Sequence, residues 1–301
     1  MRLRHIIEAQ QFTVPLIHEL FSRSRGMERV VERGGSLDYQ KRIMATLFYQ
    51  ASTRTRFSFE AAMIRLGGRV LSTENARAFS SEIGAEQVED TIRMISGYSD
   101  VIVIRHPEEG GARRASEVSS VPVINAGDGG GGQHPTQALL DLYTIYRERP
   151  LDGLSIAFIG ELHNGRTIRS LAYLLAKFDR VRLYFVSPAE LRMREDILAY
   201  LDRHNVQFAV ETDMRKVLGE ADVVYQTHIY SEHLPGKPAL SCYTIDASAL
   251  QLMKPDAMLL HPFPRGRELD RSVDADPRAR YFLEAKNGLY VRMALLTMLL
   301  D

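Results

Sequence analysis

Sulfur chemistry is almost absent from this sequence, whose only cysteine is Cys242. Without a second thiol there is no intrachain disulfide and no cysteine-rich zinc site. Net charge is missing as well, because Lys plus Arg and Asp plus Glu number 38 each. That balance argues against a nucleic-acid or membrane-surface partner. No segment approaches the roughly 18 apolar residues that span a bilayer, and no apolar run that would read as a signal peptide follows Met1–His5. The expectation is a cytoplasmic protein. Metal chemistry has little to stand on: His228 and His233 are five apart, there is no His-Glu-x-x-His, and no acidic cluster has ligand spacing. A Walker loop and a G-x-S-x-G elbow are both lacking, which removes the usual signals of a nucleoside triphosphate and of a serine nucleophile.

What is present is a rhythm. The 301 residues suggest two domains of roughly 150 residues each. Short apolar runs alternate with longer amphipathic segments, the pattern of βαβ units and an α/β fold with parallel sheets. The spacing predicts strands at Ile43–Phe48, Arg69–Ser72, Val101–Ile104, Val121–Asn125, Ser155–Ile159, Arg182–Val186, Gln207–Val210, Val223–Gln226 and Ala257–Leu260. Helices are predicted at Ser52–Leu66, Glu86–Ser99, Arg113–Val118, His134–Arg147, Thr167–Phe178, Arg192–His204, Met214–Gly219 and Val291–Leu300. The breaker cluster Arg149–Gly153 is the expected domain crossover.

Ligands of open parallel sheets bind beyond the carboxyl ends of the strands, and the unusual polar clusters follow predicted strands. They are Ser52–Arg56, Arg105–Pro107, Gly127–Gln137, Gly160–Thr167, Thr227-His228 and His261–Arg265. Ser52-Thr53-Arg54-Thr55-Arg56 opens a helix, where unpaired N–H groups and the helix dipole favour an anion. Its three hydroxyls and two guanidinium groups suit phosphate oxygens. A serine cap followed by a solvated turn is the plainer reading of Ser52, but it does not explain the residues that follow. His134 and Gln137 are three apart at a helix start and can face one ligand. Gly127, Gly129 and Gly132 match G-x-G-x-x-G, but no acidic residue lies about 20 positions later at a strand end. They are read as a loop admitting a small ligand to the backbone. Anion binders plus neutral polar groups fit transfer from a phosphorylated donor by positioning and electrostatics.

Ser-Thr-Arg-Thr-Arg, His-Pro-Thr-Gln and His261-Pro262-Phe263-Pro264-Arg265, joined by Asn125–Asp128 and Gly165-Arg166-Thr167, resemble the aspartate branch of the aspartate/ornithine carbamoyltransferase family over essentially the whole chain. The resemblance implies two doubly wound parallel-sheet domains, 1–134 with 286–301 and 135–285, with the active site in the cleft between them. It implies transfer of the carbamoyl group of carbamoyl phosphate to the α-amino group of L-aspartate, a step of pyrimidine biosynthesis, with no cofactor and no metal. Ser52, Thr53, Arg54 and Thr55 would hold the phosphate. Thr55, Arg105 and His134 would polarise the carbamoyl oxygen, and Gln137 with the backbone around Pro262, Phe263 and Pro264 would grip the carbamoyl amide. Arg166 would hold the acceptor's α-carboxylate, with His228 and Tyr230 lining the acceptor side. A homotrimer with shared sites is implied, Ser80 coming from a neighbouring subunit, and a regulatory or dihydroorotase partner is compatible with the family.

The chain departs from the family pattern at four positions. Gly84 stands where the family has a lysine, His228 and Tyr230 where it has an arginine and a glutamine, and Gln50 where it has a glutamate. A neutral histidine does not replace a bidentate guanidinium. Three readings follow: aspartate is still the acceptor, with a charged His228, Arg77 or Arg267 compensating; the acceptor lacks a second carboxylate; or the chain is a low-activity paralogue with a binding or assembly role.

Overall fold

The strands are near-continuous apolar runs, as expected of parallel sheets covered on both faces. The computed structural model describes residues 3–74, 87–229 and 240–301. It comprises two units, Met1–Leu140 with Lys286–Asp301, and Asp141–Ala285. Among the described residues no helix is long and apolar enough to cross a membrane.

In the first unit, β1 (Ile43–Phe48), β2 (Arg69–Glu74), β3 (Val101–His106) and β4 (Val123–Asp128) form a parallel sheet in the order β2-β1-β3-β4. Its helices are α1 (Val14–Glu32), α2 (Thr53–Arg65), α3 (Val88–Ser96) and α4 (Gly111–Val118). The alternation of a half-buried strand is absent from β3: Val101, Ile102, Val103 and Ile104 are all fully buried, so both of its faces are covered. Helix α1 is absent from the sequence reading. Its buried stripe, Ile17, Leu20, Phe21 and Ser24, has helical spacing, but the fourth member is a serine. That hydroxyl is satisfied internally by donating to the Leu20 carbonyl at 2.8 Å.

In the second unit, β5 (Ser155–Ile159), β6 (Arg182–Val186), β7 (Gln207–Glu211), β8 (Val223–Gln226) and β9 (Met258–Leu260) form a second parallel sheet ordered β7-β6-β5-β8-β9. Helices α6 (Arg166–Leu175), α7 (Glu195–Arg203) and α8 (Ala247–Leu252) belong to it, and a 3-10 turn, Met214–Lys216, replaces the helix expected at Met214–Gly219. The units divide within α5 (Pro135–Glu148) and within α9 (Tyr281–Leu300). Helix α9 starts ten residues before the predicted Val291, because its first turns bury polar groups, Glu284 and Asn287, instead of apolar ones.

Strand order reverses between β1 and β3 in one sheet and between β5 and β8 in the other. Such switch points open a crevice at the carboxyl ends of the strands. Ser52–Arg56 and Arg105 lie at the first, Arg166 and Thr227-His228 at the second.

Candidate active site

Helix α2 begins directly after β1 with two arginines in its first turn. Ser52 occupies the N-cap position, yet its side chain makes no capping hydrogen bond, and the first turn holds no acidic residue. A helix amino terminus normally draws an acidic side chain or a capping hydroxyl. Here it carries Arg54 and Arg56 instead, an arrangement that becomes favourable when an anion arrives from outside. Thr55 is buried at the same turn, 6% exposed. The two arginines differ in role. Arg56 Nη1 donates to Ser72 Oγ at 3.3 Å and its guanidinium lies 3.9 Å from Glu60. Glu60 also accepts from Thr46 and Ser72. Arg56 therefore ties α2 to β2, and Glu60 ties it to β1.

Beside this turn, Phe48 of β1 pairs with Arg105 of β3, and the Tyr49 N–H donates to the Arg105 carbonyl at 2.9 Å. The strand continues through Arg105 to His106, so Arg105 sits on the sheet and not in the following loop. The β3–β4 register shifts between Ile104 and His106, an irregularity of the kind that re-aims a side chain. The buried guanidinium of Arg105 is anchored there, Nη1 donating to the Ala126 carbonyl at 3.0 Å.

His134 ends the loop that follows β4. Its carbonyl accepts from the N–H groups of Gln137 and Ala138, making it the entry residue of α5. The ring is buried, 4% exposed, with Nδ1 lying 3.4 Å from Thr136 Oγ1. Gln137 is half-buried one turn into the helix. Two glycines of the loop before it are required by packing. A Cβ on Gly129 would come within 2.4 Å of the Glu109 nitrogen, and one on Gly132 within 2.5 Å of the Asp128 carbonyl. The close partner at these two positions is the protein's own backbone.

The second unit repeats the device. Helix α6 opens on Arg166 behind Gly165, with no capping side chain and no acidic residue in its first turn. Gly160, at φ +129, leaves 2.5 Å between a would-be Cβ and the Thr227 carbonyl. Only glycine lets the β5 loop lie against the β8 loop in this way, and the Glu161 N–H donates to the His228 carbonyl across that contact.

A buried carboxylate, Glu268, organises His228 and His261. Its Oε2 lies 3.0 Å from His228 Nδ1, and its Oε1 is 2.9 Å from His261 Nε2 and accepts from the Gly266 N–H at 2.7 Å. The Phe263 N–H donates to His261 Nδ1 at 2.9 Å, so Nε2 carries the ring proton of His261 and donates to Glu268. Burial lowers the pKa of His261, consistent with a neutral ring. Burial also opposes ionisation of Glu268, but hydrogen bonds from His228, His261 and Gly266 outweigh it and hold the carboxyl far below the usual range. Pro262 and Phe263 are half-buried and Pro264 is exposed. Phe263 is held at φ +51, a conformation uncommon outside glycine, by the His261 bond and by ring packing 5.8 Å from Tyr281 and 5.5 Å from Phe282. Arg265 pairs with Asp274 and lies over the Tyr281 and Phe282 rings, a structural role. Glu268 is a residue the sequence reading missed, since nothing in its spacing from His228 or His261 marks it.

A depressed carboxyl pKa makes the native state bind fewer protons than the unfolded chain, so this stability is present above the unfolded value of 4.5 and lost as pH falls below it. Glu268→Gln is expected to lower stability at pH 7 by about 1–3 kcal/mol. The same variant should show a shallower loss of stability than the parent between pH 5 and pH 3 in urea titrations. Parallel acid profiles for the two proteins would show that Glu268 is not the ionised hub.

Ser80 and Tyr230, together with Gly84 and Arg77, lie outside the described residues. Arg267 is exposed. No group of three or more metal-ligating side chains occurs among the described residues.

Residues 4–147 match the carbamoyl-P binding domain of the aspartate/ornithine carbamoyltransferase family, and residues 152–299 match its Asp/Orn binding domain. The chain is 51% identical to the chloroplastic aspartate carbamoyltransferase of Oryza sativa over 100% of its own length and 86% of the relative's. It is 44% identical to the aspartate carbamoyltransferase catalytic subunit of Methanothrix thermoacetophila, covering 100% and 99% of the two chains. Aspartate transcarbamoylase from Trypanosoma cruzi, solved with aspartate and phosphate, superposes with a TM-score of 0.93 at 39% identity, covering 99% of this chain and 96% of that one. The same enzyme has been solved with carbamoyl phosphate, again at a TM-score of 0.93 and 39% identity, with the same coverage of 99% and 96%. With both domains matched and identity sustained end to end, this chain belongs to the aspartate/ornithine carbamoyltransferase family.

Proposed function

We propose that this protein is an aspartate carbamoyltransferase, moving the carbamoyl group of carbamoyl phosphate onto the α-amino group of L-aspartate. The observation that carries the reading is the amino terminus of α2, where an uncapped Ser52, a buried Thr55 and Arg54 stand in place of the usual acidic first turn. In the reaction, Ser52, Thr53, Arg54 and Thr55 hold the phosphate through N–H, hydroxyl and guanidinium donors. Arg105, His134 and Thr55 draw charge onto the carbamoyl oxygen, while Gln137 and the Pro262–Pro264 backbone orient the carbamoyl amide. The acceptor amine attacks the carbamoyl carbon, the C–O bond to phosphate breaks, and the departing phosphate takes the amine proton. Arg166 holds the acceptor's α-carboxylate. His228, drawn to Glu268 at 3.0 Å, stands on the side of the second carboxylate.

The test is product analysis. With carbamoyl phosphate and a panel of amino acids, N-carbamoyl-L-aspartate is the expected product, and calorimetry is expected to show carbamoyl phosphate binding that Ser52→Ala weakens. Turnover with neutral amino acids but none with aspartate would overturn the acceptor assignment. Absence of carbamoyl phosphate binding would overturn the donor site.

We further propose a cytoplasmic homotrimer with shared sites, Ser80 reaching a neighbour. Phe57 and Ile64, seven residues apart on α2, are 54% and 62% exposed, and Leu71 on edge strand β2 is 47% exposed. Exposed apolar side chains on neighbouring elements suit an association surface. Phe57→Glu combined with Ile64→Glu is expected to shift the sedimentation coefficient from trimer to monomer; an unchanged coefficient would place the interface elsewhere.

A further inference from the structure

The second unit contains a buried acid that the proposed chemistry does not use. Glu284, in the first turn of α9, is 1% exposed, while Asp141 of α5 and Tyr225 of β8 are fully buried. Tyr225 Oη donates to Asp141 Oδ2 at 2.8 Å. The carboxyl groups of Asp141 and Glu284 hydrogen-bond each other, and the His261 N–H donates to Glu284 Oε2 at 2.9 Å. Two carboxyl groups can share a hydrogen bond only when one of them carries a proton.

The remaining partners decide which one. Asp141 already accepts from the Tyr225 hydroxyl and suits the ionised form. Burial, then repulsion from Asp141, drives the Glu284 carboxyl well above its ordinary range. Burial likewise raises the Tyr225 hydroxyl, which keeps its proton and also hydrogen-bonds Thr167. One chain of donors results, from the His261 N–H to Glu284, from the Glu284 O–H to Asp141, and from the Tyr225 O–H to the same carboxylate.

The ends of this chain fall beside three site segments. Thr167 follows Arg166 in the first turn of α6, Tyr225 of β8 lies two residues before Thr227, and His261 immediately precedes the Pro262–Pro264 segment. We propose that Glu284 is a positioning residue, a neutral carboxylic acid whose one proton, given to Asp141, fixes the Arg166, His228 and Pro262–Pro264 segments in a common register. It touches no substrate. The inference rests on the proposed carbamoyl transfer.

The test compares Glu284→Gln, Glu284→Leu and Tyr225→Phe in the full chain, reading kcat, acceptor KM and the Kd of inorganic phosphate. A glutamine amide can donate to Asp141 and accept from the His261 N–H, so Glu284→Gln is expected to hold acceptor KM within about threefold. Glu284→Leu is expected to raise acceptor KM about tenfold or more and lower kcat, with phosphate Kd unchanged because the phosphate residues lie in the first unit. Should Glu284→Leu fail to fold, Tyr225→Phe cuts the same chain while keeping the ring, and a several-fold rise in acceptor KM is expected. In wild type, an infrared difference spectrum against Glu284→Gln should contain the C=O stretch of a protonated carboxylic acid at pH 8.

Acceptor KM unchanged in Tyr225→Phe and in any folded Glu284→Leu would overturn the inference, as would a Glu284→Gln variant as impaired as Glu284→Leu, or a spectrum without the acid band. If wild type carbamoylates no amine, the function itself falls and takes this inference with it.

Discussion

Arg54→Ala is expected to lower kcat about 10³-fold, at the upper end for loss of one preorganised charge donor, with the fold and acceptor KM little changed. Arg54 lies exposed in the first turn of α2, so removing it leaves no cavity. Its effect should concentrate where negative charge builds up on the departing phosphate. Arg56 supplies an internal control. Its guanidinium is bound to Ser72 and lies near Glu60, so Arg56→Ala should cost stability, about 1–3 kcal/mol, more than turnover. Steady-state kinetics and urea unfolding on both variants separate the two roles. A kcat for Arg54→Ala within tenfold of the parent would move the phosphate site away from this turn.

The second large effect is at His134. As a hydrogen-bond donor to the carbamoyl oxyanion, it should cost about 10²–10³ in kcat when replaced by alanine. His134 Nδ1 lies 3.4 Å from Thr136 Oγ1, and the donor role requires the tautomer that carries its proton on Nε2. A donor can be imitated by an amide, whereas a general base cannot. His134→Gln is therefore expected to recover about tenfold of the alanine loss. No recovery, together with a new dependence of rate on added imidazole, would indicate proton abstraction instead. A kcat for His134→Ala within threefold would remove it from the mechanism altogether.

The legible parts of this fold were those whose burial and chemistry agree. Four strands, Ile43–Phe48, Ser155–Ile159, Arg182–Val186 and Val223–Gln226, run over the predicted residues, because apolar runs bounded by breakers have few alternative uses. The α/β class and the polar clusters at strand ends were legible for the same reason. What escaped were elements that bury polar atoms. Helix α1 closes its stripe with Ser24, and α9 begins on Glu284 and Asn287, with Arg292 placed 5.1 Å over the Phe59 ring. A hydrophobicity pattern cannot register a buried polar group that is satisfied by partners far away in sequence. The site shows the same division. Ser52–Arg56 stands out in the sequence by its local density of donors, whereas Glu268 acquires meaning only when folding brings His228 and His261 to it. Arg56 differs from its neighbours in that its guanidinium is engaged with β2.

Each unit is cored on its own, one around Ile102, Ile104 and Val123, the other around Ile159, Val224 and Leu259. His228 and Glu268 belong to the second unit, whereas Ser52 and Arg105 belong to the first. A lineage could exchange one nucleophile for another by editing a few loops of the second half, while inheriting the activated carbamoyl donor unaltered. Directed evolution toward new carbamoylated amines would begin from the same place, with diversity confined to positions near 228 and 268.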